Sequence, residues 1–209
     1  MAIVNDKFFV FDDVLTSKEH TEIYEHLKTL NWHNAWGSNH RFWPDAWHWN
    51  YVFYQAMQQM PAMTMEELAK INDEHPAMIS LIAKVDDLFK KNVGSFDILR
   101  LYSNCNPYGT NAYIHHDDGD YTAIYYPAVK WDAEWEGGTC FYEQDEFGDY
   151  DAIRYVTYKP NRLVIFPAHI PHRGMPVDRR GTDPRYVVAM KMQRNVNDPE
   201  YLKEFYGEK

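Results

Sequence analysis

Between residues 97 and 192 the chain breaks into seven short runs of β-forming residues, and this restricts the fold more than any other feature. The runs are Asp97–Tyr102, Ala112–Asp117, Tyr121–Tyr126, Thr139–Tyr142, Ile153–Tyr158, Leu163–Phe166 and Arg185–Met192. Turn-rich pieces such as Asn106-Pro107-Tyr108-Gly109 and Lys159-Pro160-Asn161 separate them. The first half has a different period. Thr16 and Glu19 form a Thr-x-x-Glu capping pattern before Ile23, Leu27 and Leu30 at helical spacing, and Thr64 and Glu67 repeat it before Leu68 and Ile71. A third helix is expected from about Pro76, with Met78, Leu81, Ile82, Val85, Leu88 and Phe89 on one face, Lys90 and Lys91 in the last turn and Gly94 as the stop. Helices first and many short strands later predict an α+β fold, with N-terminal helices packed on one sheet of an antiparallel double sheet. A jelly roll, or double-stranded β-helix, is the natural candidate.

A chain of 209 residues with 45% hydrophobic and 25% charged residues fits one globular domain. The expected layout is a mainly helical support region at 1–95, the jelly-roll core at 96–195 and a tail at 196–209. The formal net charge of −10 and the lack of a long Lys/Arg run argue against nucleic acid or anionic membrane surfaces as partners. No signal peptide or membrane-spanning stretch is visible, and Cys105 and Cys140 alone make no disulfide framework, so a reducing, cytoplasmic setting is expected. The acidic stretch Glu143-Gln144-Asp145-Glu146 with Asp149 and Asp151 lacks the spacing of a calcium loop and reads as solvated. Trp32, Trp36, Trp43, Trp47 and Trp49 crowd into one segment with His33, His40 and His48. Such a segment is either an aromatic layer on the core or a substrate wall.

The chemistry concentrates in Tyr113-Ile114-His115-His116-Asp117-Asp118-Gly119. Residues two apart on a strand share a face, about 7 Å apart along the chain, so a His-x-Asp pair can lean onto one metal ion. Two such pairs are present, His115/Asp117 and His116/Asp118, on opposite faces. The first is preferred because Ile114 then faces the apolar side. A third ligand must come from another strand, and Phe166-Pro167-Ala168-His169-Ile170-Pro171-His172-Arg173-Gly174 offers His172 or His169, the Pro-His-x-Gly context favouring His172. Two histidines and one carboxylate leave coordination positions open, which suits ferrous iron.

Around these residues the order is distinctive. Asp117 is followed by Thr122-Ala123-Ile124-Tyr125-Tyr126, by Trp135-Glu136-Gly137-Gly138, by the apolar run Leu163–Phe166, by Pro171-His172-Arg173-Gly174 and by Arg185 opening Tyr186-Val187-Val188-Ala189-Met190-Lys191. In this order the sequence resembles the iron- and 2-oxoglutarate-dependent dioxygenase superfamily, closest to its prolyl-hydroxylase-like branch, over roughly residues 97–194. The resemblance implies a double-stranded β-helix and a requirement for Fe(II), 2-oxoglutarate and dioxygen. It implies coupling of 2-oxoglutarate decarboxylation to hydroxylation of a peptide, protein or small molecule. Carried over by position, His115, Asp117 and His172 match the iron ligands. Arg185 matches the basic residue that pairs with the distal carboxylate of 2-oxoglutarate, Tyr126 a tyrosine that helps hold it, and Tyr102 a second candidate for that role. Two other readings compete: a cupin-type metal enzyme without 2-oxoglutarate, which has no need of Arg185, and a non-catalytic jelly-roll binding module.

Overall fold

The computed structural model describes residues 8–36, 48–56 and 63–195. In chain order the elements are β1 (Phe9–Phe11), α1 (Ser17–Lys28), β2 (His33–Trp36), β3 (His48–Gln55), α2 (Met65–Glu74), α3 (Ala77–Asn92), β4 (Phe96–Asn106), β5 (Tyr121–Tyr126), β6 (Thr139–Gln144), β7 (Tyr150–Val156), β8 (Arg162–Pro167), β9 (His172–Gly174) and β10 (Arg185–Arg194). The strands form two antiparallel sheets: a large one in the order β1-β8-β5-β10-β4-β3-β2 and a small one in the order β7-β6-β9. This is the double-stranded β-helix with helices on one sheet.

The helices begin where the capping patterns place them. Thr16 Oγ1 accepts from the Glu19 amide at 3.3 Å, and the Glu19 carboxylate accepts from the Thr16 amide at 2.9 Å. Thr64 and Glu67 repeat the pair at 3.2 and 2.7 Å. Helices of this length are marginal alone, so their apolar faces decide their stability. Ile23 and Leu27 of α1 and Met78, Leu81, Val85 and Phe89 of α3 are fully or nearly fully buried against Leu101, Tyr125, Leu163, Ile165, Val188 and Met190 of the large sheet. Alternate residues of the same strands, Ile124, Tyr126, Val164, Phe166 and Val187, point the other way. They meet Phe141, Val156, Tyr158 and Ile170 in a second core between the sheets. The candidate site lies on this inner face.

Two expectations from periodicity need correction. The first half is not helical alone: beside α1, α2 and α3, its strands β1, β2 and β3 all join the large sheet. Their partners are remote: Phe9 faces Ile165, and Trp49 faces Cys105. Local pattern alone does not reveal such pairings. Residues 112–117 are not a strand; only His115 forms a bridge, to His172. The segment is held on one side, His115 N–H donating to His172 O and Asp117 N–H to Ala168 O, each at 3.0 Å. The acidic stretch is exposed, and Asp145 caps its turn by accepting from the Phe147 and Asp149 amides.

In the aromatic segment, Trp32 donates to Leu27 O at 3.1 Å and packs on Tyr186, in keeping with a core role, whereas Trp49 is 38% exposed. Trp43, Trp47 and His40 lie outside the described residues. Among the described residues no helix is long and apolar enough to cross a membrane.

Candidate metal and anion site

His115 and His172 exchange both amide–carbonyl hydrogen bonds, each 3.0 Å long. Directly opposed residues of an antiparallel bridge project side chains to the same face. The two imidazoles therefore stand together, with centroids 4.6 Å apart. Asp117, two residues on, shares that face, and ligand atoms of the three residues lie within 4.8 Å of one another. His116 and Asp118 turn away: His116 Nδ1 meets His169 O at 2.6 Å and Asp118 pairs with Arg100 at 2.6 Å. His169 is exposed. Of the histidine and aspartate alternatives in the sequence, the fold thus gathers His115, Asp117 and His172.

The orientation of the rings matters. His115 Nδ1 lies 2.9 Å from Tyr113 O, and His172 Nδ1 lies 2.9 Å from Ile170 O. A carbonyl can only accept, so each Nδ1 carries the proton and donates. The Nε2 atoms then face the Asp117 carboxylate, at 3.5 Å from His115 and 3.2 Å from His172. Burial lowers the His172 pKa, only partly offset by Asp117, so this ring is neutral at physiological pH. A bare nitrogen lone pair pointed at carboxylate oxygens is repulsive unless a cation lies between them. Two imidazoles and a carboxylate, with the outer nitrogens tied to backbone carbonyls, form a donor set that fits ferrous iron.

Asp117 is 5% exposed. Burial alone would raise its pKa, but the Lys191 ammonium holds it well below the usual carboxylate range. Its Oδ2 accepts from Thr122 Oγ1 at 2.6 Å and is in contact with Lys191 Nζ. The register explains the meeting, since Lys191 on β10 faces Thr122 on β5.

Arg185 begins β10, six residues before Lys191 and on the same face as Val187 and Ala189. It is 4% exposed. Its Nε donates to Gly137 O at 2.5 Å, and its Nη2 to Thr139 Oγ1 at 3.2 Å and Gly138 O at 3.5 Å. Among the described residues no carboxylate pairs with it. Tyr126, fully buried, meets the same Thr139 hydroxyl at 2.8 Å. Trp131 stacks on Tyr158 and Tyr158 on Tyr126, which leaves the guanidinium beside the Tyr126 ring. The Gly-Gly turn is sterically required: Gly137 has φ +72°, and a Cβ on Gly138 would lie 2.4 Å from Val156 O. At Gly174 the neighbour is a side chain instead: a Cβ there would lie 2.9 Å from Arg185 Nη1, so the guanidinium would have to shift.

A cavity connects the two ends, lined by Arg185, Val187, Ala189 and Lys191 of β10 with Asn104 and Ile124 beside them. His115 and His172 open into it. Tyr102 also lines it, but sits against Lys191 rather than Arg185, its ring centroid 5.7 Å from Lys191 Nζ. Thr122, Thr139 and Lys191 belong to the site or its rim and were not singled out from sequence, whereas His48 on the rim comes from the aromatic segment. One signal was available for Lys191, a charged residue inside the otherwise apolar run Val187–Met192.

Residues 103–192 match the model of the 2OG-Fe(II) oxygenase superfamily. Among curated proteins, none matches the sequence. In fold the chain is similar to a prolyl hydroxylase from Trichoplax adhaerens, solved with a hypoxia inducible factor oxygen degradation domain peptide fragment. That match has 17% identity and TM-score 0.56, covering 98% of this chain and 89% of that one. A viral collagen prolyl hydroxylase from Paramecium Bursaria Chlorella virus-1, solved with 2OG, matches at 12% identity and TM-score 0.58, covering 91% and 98%. The non-heme alpha ketoglutarate dependent epimerase SnoN from nogalamycin biosynthesis matches at 12% identity and TM-score 0.63, covering 90% and 78%.

Proposed function

We propose that this chain, whose residues 103–192 match the model of the 2OG-Fe(II) oxygenase superfamily, is a hydroxylase with a prolyl-hydroxylase-like site, in which His115, Asp117 and His172 hold the iron and Arg185 holds the distal carboxylate of 2-oxoglutarate. The observation that carries the reading is the pairing of a two-histidine, one-carboxylate cluster with a buried guanidinium that has no carboxylate partner among the described residues. An unpaired buried charge costs several kcal/mol, so the site is built for an anion. A metal site without a dicarboxylate cosubstrate gives Arg185 no such role.

When bound, ferrous iron supplies the centre at which 2-oxoglutarate and dioxygen are consumed to succinate, carbon dioxide and hydroxylated product. The chain's own residues select and orient. The guanidinium can offer a carboxylate two parallel hydrogen bonds, and it stays charged when buried. Gly137 O and Thr139 fix its direction, and the Tyr126 hydroxyl reaches the same point through Thr139. Val187, Ala189 and Ile124 give the passage between Arg185 and the metal cluster apolar walls, which exclude water from the reacting groups.

The direct test is anaerobic loading with Fe(II), then addition of 2-oxoglutarate and air with succinate measured, alone and with proline-containing peptides. Iron-dependent succinate formation is expected, increased by a peptide that is itself hydroxylated. Succinate formation equal to the metal-free control under all conditions would refute the reading.

Gly174 provides an independent check. In Gly174→Ala the added methyl displaces the Arg185 guanidinium. Overpacking of a filled site costs about 1–3 kcal/mol, so the half-saturating 2-oxoglutarate concentration should rise about tenfold. Iron content should be unchanged. An unaltered 2-oxoglutarate dependence in a folded Gly174→Ala protein would count against Arg185 as the anchor.

A further inference from the structure

Lys191 has no place in the scheme above, yet it is a buried charged side chain lining the cavity. It is 3% exposed and sits inside the otherwise apolar run Val187–Met192. Its ammonium touches Asp117 Oδ2 and lies 3.4 Å from Thr122 Oγ1, and the Tyr102 hydroxyl is its third neighbour. These three partners account for its three N–H donors. None is left over for cosubstrate or substrate. Lys191 is therefore not a second anion anchor like Arg185, although both line one face of β10.

Resting on the assignment of His115, Asp117 and His172 as metal ligands, we propose that Lys191 is a tethered counter-ion of Asp117 that sets the metal affinity of the site. In the metal-free protein the ammonium balances the buried carboxylate. A divalent ion arriving between Asp117 and the two Nε2 atoms must share that carboxylate with an existing positive charge, or displace it. Thr122 holds Asp117 Oδ2 in either state, so the carboxylate keeps its aim while its charge is contested. The site is thereby kept folded without metal, at the expense of weaker metal binding. Lys191 acts through Asp117 and is a positioning and tuning residue, not a catalytic one.

Co(II) added to the metal-free protein without 2-oxoglutarate, followed by visible absorption, reads the affinity without turnover. Partners just outside the ligand set change metal affinity by about 10–100-fold. Here the sign is reversed by the positive charge. Lys191→Met, which removes the charge and keeps the length, should bind Co(II) about tenfold more tightly. Lys191→Arg, which keeps the charge, should stay near the native affinity. Equal or weaker binding in folded Lys191→Met would overturn the proposal.

A measurement on the unaltered chain covers the case in which Lys191→Met does not fold. Lysine-selective 15N spectra of the metal-free protein should show one ammonium signal protected from exchange, which shifts or disappears on adding Zn(II). A protected signal indifferent to Zn(II), or no protected signal, would also overturn the idea. His115→Ala separates the two levels. If it retains native Co(II) binding, the ligand assignment fails; if it loses binding while Lys191→Met leaves affinity unchanged, only the counter-ion role fails.

Discussion

Arg185→Ala should raise the half-saturating 2-oxoglutarate concentration a hundredfold or more while the chain still binds iron. Removing one partner of a buried charge pair typically costs about 3–5 kcal/mol, and about 1.4 kcal/mol is a factor of ten. The large value applies because Arg185 is 4% exposed and its fixed contacts are all neutral acceptors: Gly137 O, Gly138 O and Thr139 Oγ1. Nothing else described in the cavity near it can neutralise a carboxylate. Lys191, the other cation on that face, is committed to Asp117. Arg185→Lys should fall between, since one ammonium cannot reproduce a two-pronged contact. Titration of 2-oxoglutarate against succinate release, with iron content measured in parallel, gives the answer. A native dependence in Arg185→Ala would remove the cosubstrate assignment and leave the metal site standing.

His172→Ala should lower metal affinity by more than about a hundredfold, beyond the 10–100-fold range typical of residues that merely support a ligand. Turnover should disappear with the metal. His172 suits the test because its loss leaves the Asp117–Lys191 pair and the Thr122 hydrogen bond intact, so no buried charge is stranded. His116→Ala and His169→Ala are the controls, as the structure turns the first toward a backbone carbonyl and exposes the second. Both should keep metal and most activity. Loss of metal in His169→Ala or His116→Ala with retention in His172→Ala would reverse the ligand assignment.

Much of this was legible in the chain itself, and the reason is locality. Thr16 with Glu19 and Thr64 with Glu67 cap helices through contacts three residues apart, so spacing alone locates both starts. Alternation along Tyr121–Tyr126 and Arg185–Met192 gives strands and tells which residues share a face, as it does for Arg185, Val187 and Ala189. The ordered motifs around His115, Asp117 and His172 carried the family resemblance. Tertiary structure decided what depends on register between distant segments. β1 and β3 became strands because their partners lie far downstream, at β8 and β4. His115 was placed opposite His172 by one bridge rather than by a strand at 112–117. Tyr102 was aimed at Lys191, not at Arg185. Above all, the insertion of β10 between β4 and β5 put the Lys191 ammonium on Asp117 and left the Arg185 guanidinium without a carboxylate among the described residues. Sequence supplies both cations; which of them is neutralised is a property of strand order, because buried charges interact only with what the fold brings within reach.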